Sequence, residues 1–164
     1  MIKVAVIGAR GYTGAELLPL LHRHPEFELV AVASGSAAGD PVGDHVAGMD
    51  GCDLVFRDLQ PAQLPAIGAH ACVLALPNGA AAPYVEALTT QSPDTVILDL
   101  GADYRFDDSW VYGQPERFAD RIRGARRIAN PGCYATGAQL ALAPLTPWLV
   151  GAPVVFGVSG YSGA

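Results

Sequence analysis

The stretch Ile2-Lys-Val-Ala-Val-Ile-Gly-Ala-Arg-Gly-Tyr-Thr-Gly-Ala15 decides the fold. An apolar, largely β-branched run ends at three glycines, Gly8, Gly11 and Gly14, and Leu17, Leu18, Leu20 and Leu21 then recur at helical spacing. This reads as strand, turn and helix, with Pro19 in the early part of the helix, where a kink is tolerated, and Pro25 as its stop. Glu28 to Ala33 supplies a second buried strand, and a strand–helix–strand unit of about thirty residues requires a right-handed parallel crossover. The expected class is α/β: a doubly wound parallel sheet forming a Rossmann-like dinucleotide-binding domain. Glycines in this turn permit a tight bend, close approach of a diphosphate and close helix-to-strand packing, while the helix start offers N–H groups and a positive dipole end. The loop residues Gly8, Arg10, Gly11, Tyr12, Thr13 and Gly14 are therefore the candidate cofactor contacts.

An acidic residue ordinarily ends the second strand, about 20 residues past the glycines, where it binds the ribose hydroxyls of NAD. Here that place holds Ala33-Ser-Gly-Ser36. Two hydroxyls, Ser34 and Ser36, accept a 2′-phosphate without repulsion, and Arg10 offers a countercharge, so the expected cofactor is NADP.

Further along, residues 34–50 read as an irregular loop with a short helix, Cys52 to Phe56 as a short strand, and Ala71 to Asn78 as a stronger one, followed by an alanine-rich helix near Gly79 with Asn78 as its cap. Thr95 to Leu100 is the next buried strand, Tyr104 to Arg127 a polar, aromatic excursion, Tyr134 to Leu142 an apolar helix, and Val154 to Val158 a last strand. The closing Ser159-Gly-Tyr-Ser-Gly-Ala164 reads as a strand-to-glycine turn that opens a new unit. The expectation is a chain truncated before its second domain is complete, with 1–132 the cofactor domain and 133–164 the start of a catalytic domain.

Composition narrows the partners. In 164 residues, 51% are hydrophobic and 16% charged, so a packed core rather than disorder is expected. Ten basic against sixteen acidic residues give −6, the wrong sign for a protein bound to phosphate backbones, which argues against nucleic acid. No apolar run reaches the ~18 residues of a membrane helix, and no export signal is visible, so the expected location is the cytoplasm. Three cysteines without C-x-x-C or Cys/His clustering fit a reducing compartment.

Of these, Cys133 follows Asn130-Pro-Gly132 and opens a helix, the position that favours a thiolate, and is the candidate nucleophile. Cys72 lies inside an apolar strand and reads as structural, as does Cys52. None of His22, His24, His45 and His70 is paired with a catalytic-looking group, so no base for Cys133 is apparent and the chain alone is expected to be inactive. Asp99, Asp103, Asp107 and Asp108 lack a metal-ligand pattern, and no metal is expected.

Gly8-Ala-Arg-Gly-Tyr-Thr-Gly-Ala-Glu-Leu17, Ala75-Leu-Pro-Asn-Gly79, Asp99-Leu-Gly-Ala-Asp-Tyr-Arg105, Ala129-Asn-Pro-Gly-Cys-Tyr134 and the closing Ser159 to Ala164 occur together and in order. With them the chain resembles the N-acetyl-gamma-glutamyl-phosphate reductases of arginine biosynthesis, over about the first half of that family's length. The resemblance implies a small acyl-phosphate substrate, attack by Cys133 to form a thioester, and hydride delivery from NADPH to give a semialdehyde. It further implies cofactor contacts at Pro77 and Asn78, and substrate contacts at Arg105, Asn130, Ser159 and Gly160. The remainder of the family's length would carry the acid/base histidine and a dimerisation surface, so the full-length protein is expected to be a homo-oligomer. Arg105 reads alternatively as an ion-pair residue, and Arg10 stands where the family often has a small side chain. Sibling activities are N-acetyl-aminoadipyl phosphate reductase and aspartate-semialdehyde dehydrogenase, and a non-catalytic NADP-binding module is the alternative of a different class.

Overall fold

Strand β1 (Ile2–Ile7) alternates Val4 and Val6 on one face with Ala5 and Ile7 on the other, and all four are buried. A strand buried on both faces must be covered by helices on both. In the computed structural model, which describes residues 1–161, Val4 and Val6 pack in one cluster with Leu18 and Leu21 of helix α1 (Tyr12–His22). Ala5 and Ile7 share the opposite cluster with Val85 and Leu88 of α2 (Ala82–Gln91).

Among the described residues the sheet has six strands in the order β2-β1-β3-β4-β6-β5, with every pairing parallel. The strands are β2 (Phe27–Ala33), β3 (Ala71–Leu74), β4 (Val96–Asp99), β5 (Val111–Tyr112) and β6 (Arg127–Ala129). The chain steps from β1 to β2 on one side and returns to β3 on the other. The connections β1–α1–β2 and β3–α2–β4 run in opposite directions across the sheet, and with the usual right-handed crossover this places α1 and α2 on opposite faces, in agreement with the two clusters.

Several local expectations change. Residues 34–50 keep the expected loop, and its short helical part consists of two 3-10 turns, Gly35–Ala37 and Val42–Asp44. Residues 52–56 form no strand: Val55 makes an isolated bridge to Pro41, Phe56 N–H donates to the Asp40 carbonyl at 2.9 Å, and the chain reaches β2 only at the next residue, where Arg57 bridges Ala33. Helix α2 starts at Ala82 with Ala81 as its cap, and the Asn78 side chain instead accepts the Ala102 N–H on Oδ1 at 3.0 Å. The stretch 104–127 is part of the sheet: it holds β5, which lies beside β6, and the kinked helix α3 (Pro115–Ile122).

The chain divides into two compact units, Met1–Asn130 and Pro131–Ala164. The second contains α4 (Cys133–Leu142), a 3-10 turn at Ala143–Trp148 and a stretch without helix or strand over residues 149–160. Val154 to Val158 carries no regular secondary structure and forms no strand, since no other segment of the described residues pairs with it, and a strand exists only through its ladder. No helix among the described residues is long and apolar enough to cross a membrane.

Candidate functional site

The strand order reverses between β1 and β3, and crevices at the carboxyl ends of strands flanking such a point are where α/β sheets hold ligands. Gly8 follows β1 there with φ +82°, and a Cβ on it would lie 2.2 Å from the Ala75 carbonyl oxygen after β3. Gly14 is equally committed to protein packing, since its Cβ would lie 2.7 Å from the Ala9 backbone. Gly11 differs: a Cβ on it would meet only the Gly8 oxygen, at 3.4 Å. The middle glycine thus keeps one open face, while the outer two hold the turn in shape. Gly11 is also the cap of α1 and supplies no side-chain acceptor, and the first turn, with the exposed Tyr12 and Thr13, carries no acid. Its N–H groups and dipole are left for an external anion.

At the end of β2 the sequence-selected residues come together. Arg10 Nη1 donates to Ser36 Oγ at 3.2 Å, and the hydroxyls of Ser34 and Ser36 lie 3.3 Å apart. Ser34 is buried and Ser36 exposed. This donor set, a guanidinium and two hydroxyls beside an open glycine, fits the 2′-phosphate end of a dinucleotide. One residue escaped sequence reasoning: Asp58 Oδ1 would lie 3.8 Å from a Cβ at Gly35, so a carboxylate does stand near the serines. It arrives from 24 positions along the chain and is held by Gln60 Nε2 at 2.9 Å, and no local signal announces it.

Pro77 and Asn78 lie exposed in the loop after β3. Arg105 is half-buried and donates to two backbone carbonyls, Asn130 at 2.9 Å through Nε and Leu100 at 3.4 Å through Nη2. The geometry joins Arg105 to Asn130 through that residue's main chain. Asp99, at the end of β4, is buried; its Oδ1 accepts the Gly101 N–H at 3.2 Å while Oδ2 has no partner. Burial pushes its carboxyl above the ordinary range, with the Asp103 charge adding to the shift, while the Gly101 N–H and Arg105 oppose it.

In the second unit, Cys133 is the first residue of α4, exposed, behind the extended cap Gly132. Glycine 132 brings no side-chain cap and the first turn brings no acid, so the sulfur sits at an uncapped helix start. A groove of about 690 Å³ runs along this helix, and its lining includes Cys133, Tyr134, Ser159 and Gly160. The structure therefore gathers the candidate nucleophile and the two closing candidates into one groove; Ser162 to Ala164 of the same motif lie outside the described residues. Cys72, in contrast, is buried, and burial pushes its thiol up to about 12. Three histidines have partners in the first unit: His45 Nε2 is 2.7 Å from Asp40 Oδ2, His70 Nδ1 accepts the Lys3 N–H, and His24 stacks on Phe27.

With this geometry in view, the family model for the semialdehyde dehydrogenase NAD-binding domain matches residues 3–125. The chain belongs to that family. Among curated relatives, the N-acetyl-gamma-glutamyl-phosphate reductase of Stenotrophomonas maltophilia (strain R551-3) is 51% identical over 161 residues, covering 98% of this chain and 50% of the relative. The protein of the same name from Xylella fastidiosa (strain 9a5c) is 53% identical, covering 98% of this chain and 48% of its own length. The chain thus spans about half the length of the curated relatives it matches. Among solved structures, aspartate semialdehyde dehydrogenase from Candida albicans, determined with NADP, superposes with a TM-score of 0.69 at 19% identity, covering 90% of this chain and 47% of that one. Aspartate semialdehyde dehydrogenase II from Vibrio cholerae gives 0.69 at 20% identity, with the same two coverages. At such identities the likeness speaks for the semialdehyde dehydrogenase fold alone.

Proposed function

We propose that this chain carries the NADP-binding part and the nucleophile of an N-acetyl-gamma-glutamyl-phosphate reductase. The observation that carries this reading is identity of about half the residues to reductases of that name along 98% of the chain. On this reading residues 1–132 bind the cofactor and 133–164 begin the substrate-binding part of a cytoplasmic homo-oligomer. Gly8 to Gly14, with Arg10, hold the diphosphate and, together with Ser34 and Ser36, the 2′-phosphate, and Pro77 and Asn78 border the crevice. Cys133, as thiolate, attacks the acyl carbon; the bond to the phosphate oxygen breaks, inorganic phosphate leaves, and a thioester remains on the sulfur. The helix start under Cys133 stabilises the sulfur's negative charge both before attack and when the thiolate departs. Ser159 and Gly160, on the same groove as Cys133, and Arg105 and Asn130 are the proposed substrate contacts. NADPH, when bound, supplies the hydride that converts the thioester to the semialdehyde.

The test is to mix the chain with N-acetyl-gamma-glutamyl phosphate and look by mass spectrometry for an acyl adduct on Cys133, in parallel with NADPH and NADH titrations. The expected result is an adduct that disappears in Cys133→Ser, and tighter binding of NADPH than NADH, with the preference reduced by Ser34→Asp. Absence of the adduct together with equal affinity for the two nucleotides would overturn the reading.

A further inference from the structure

The loop Gly101–Arg105 is fastened to three neighbours within the first unit. Its Gly101 N–H goes to Asp99, its Ala102 N–H goes to Asn78 Oδ1 at 3.0 Å, and its Arg105 side chain holds the Asn130 carbonyl. In the reverse direction, the Asp103 carboxylate accepts the Gly79 N–H on both oxygens, each at 2.8 Å. Asn78 and Asp103 thus form a reciprocal pair of side-chain-to-backbone bonds that tie the loop after β3 to the loop after β4. The tied loop is the one whose Ala75 carbonyl backs Gly8, so its position sets one wall of the crevice beside the glycine turn. Gly79 needs φ +85°, a conformation that few other residues adopt, and the carboxylate holds its N–H in that setting.

We infer that Asp103 is a positioning residue of the dinucleotide crevice: its carboxylate holds the loop after β3 in its binding shape without touching the ligand. The inference rests on the reading of that crevice as an NADP site. Its logic has a sign. Dinucleotides are polyanions, so a carboxylate acting on them only through its charge would weaken binding, and removing it would tighten binding. A positioning carboxylate has the opposite effect when removed. Opening the charge-assisted bond at Gly79 also releases the second rung of the pair, so the Ala102 amide, which Asp103 does not touch, should lose protection in the ligand-free protein.

The experiment compares wild type, Asp103→Ala and Asp103→Asn by NADPH titration, by melting temperature and by amide hydrogen exchange without ligand. Asp103→Ala is expected to weaken NADPH about ten- to a hundredfold, the range for losing a hydrogen bond to a charged group, and to speed exchange at Ala102 by at least about tenfold. Asp103→Asn, which keeps an oxygen acceptor and drops the charge, is expected to restore binding to within about threefold of wild type. Asp103→Ala binding as tightly as wild type, or unchanged exchange at Ala102, overturns the inference. If wild type itself fails to bind NADPH, the cofactor reading falls, and the exchange at Ala102 still decides whether the two loops are clamped through Asp103.

Discussion

Gln114 is wholly buried, caps α3 without using its side chain, and leaves both its amide nitrogen and its oxygen without a partner. A buried amide with no hydrogen bond costs about 1–3 kcal/mol in protein terms. Leucine has nearly the same volume and no polar atoms, so Gln114→Leu is expected to stabilise the chain by about that amount. Urea unfolding of the two proteins measures it, and a less stable variant would mean that the amide has a partner in solution. Asp99 makes a different statement, because it titrates. Its folded carboxyl is raised by burial, so the native state binds more protons than the unfolded one at pH values above the ordinary carboxylate range. Stability from this group therefore falls as pH rises from about 3.8 through the raised folded value, and the full cost is present above it. Lowering the pH from 7.5 toward the ordinary carboxylate value of about 3.8 is accordingly expected to stabilise wild type relative to Asp99→Asn, with the gap read from denaturant midpoints at each pH. Parallel pH profiles for the two proteins would show that Asp99 keeps an ordinary carboxyl.

Among the elements, the glycine turn between β1 and α1 allows the sharpest separation of folding from binding. Gly8→Ala places a methyl 2.2 Å from the Ala75 oxygen in a left-handed backbone, and Gly14→Ala places one 2.7 Å from the Ala9 backbone. Both are expected to lower stability by several kcal/mol, on the order of an overpacked core site with backbone strain. Gly11→Ala has room for its methyl and is expected to melt close to wild type while losing NADPH affinity, because that methyl fills the open face. Calorimetric melting with NADPH titration checks the set, and a Gly11→Ala protein that still binds normally would place the dinucleotide elsewhere. This element was legible in the sequence because everything that makes it lies within fourteen residues. The opening of α4 at Cys133 was legible for the same reason. In contrast β5 and β6, of two and three residues, have too few positions to show a period, and only their partners make them strands.

Across the whole molecule, protection should follow the sheet order. β1 and β3 lie inside the sheet with apolar clusters on both faces, while β5 is a two-residue edge. Hydrogen exchange is therefore expected to be slowest at Val4 to Ile7 and Cys72 to Leu74 and clearly faster at Val111 and Tyr112; uniform exchange across the six strands would contradict this sheet. The sequence by itself determined the strand–turn–helix start, the parallel α/β class, the serines in place of an acid after β2, and a cysteine at a helix opening. Each is a short-range pattern, in which neighbouring residues create both the signal and the structure. Only the tertiary structure decided that Asp58 stands near Ser34 and Ser36, that Arg105 grips the Asn130 carbonyl, that Asn78 and Asp103 clamp two loops, and that Val154 to Val158 forms no strand. These depend on which distant segments the sheet order brings side by side, and a strand, a clamp or a charge near a site exists only once its distant partner is in place.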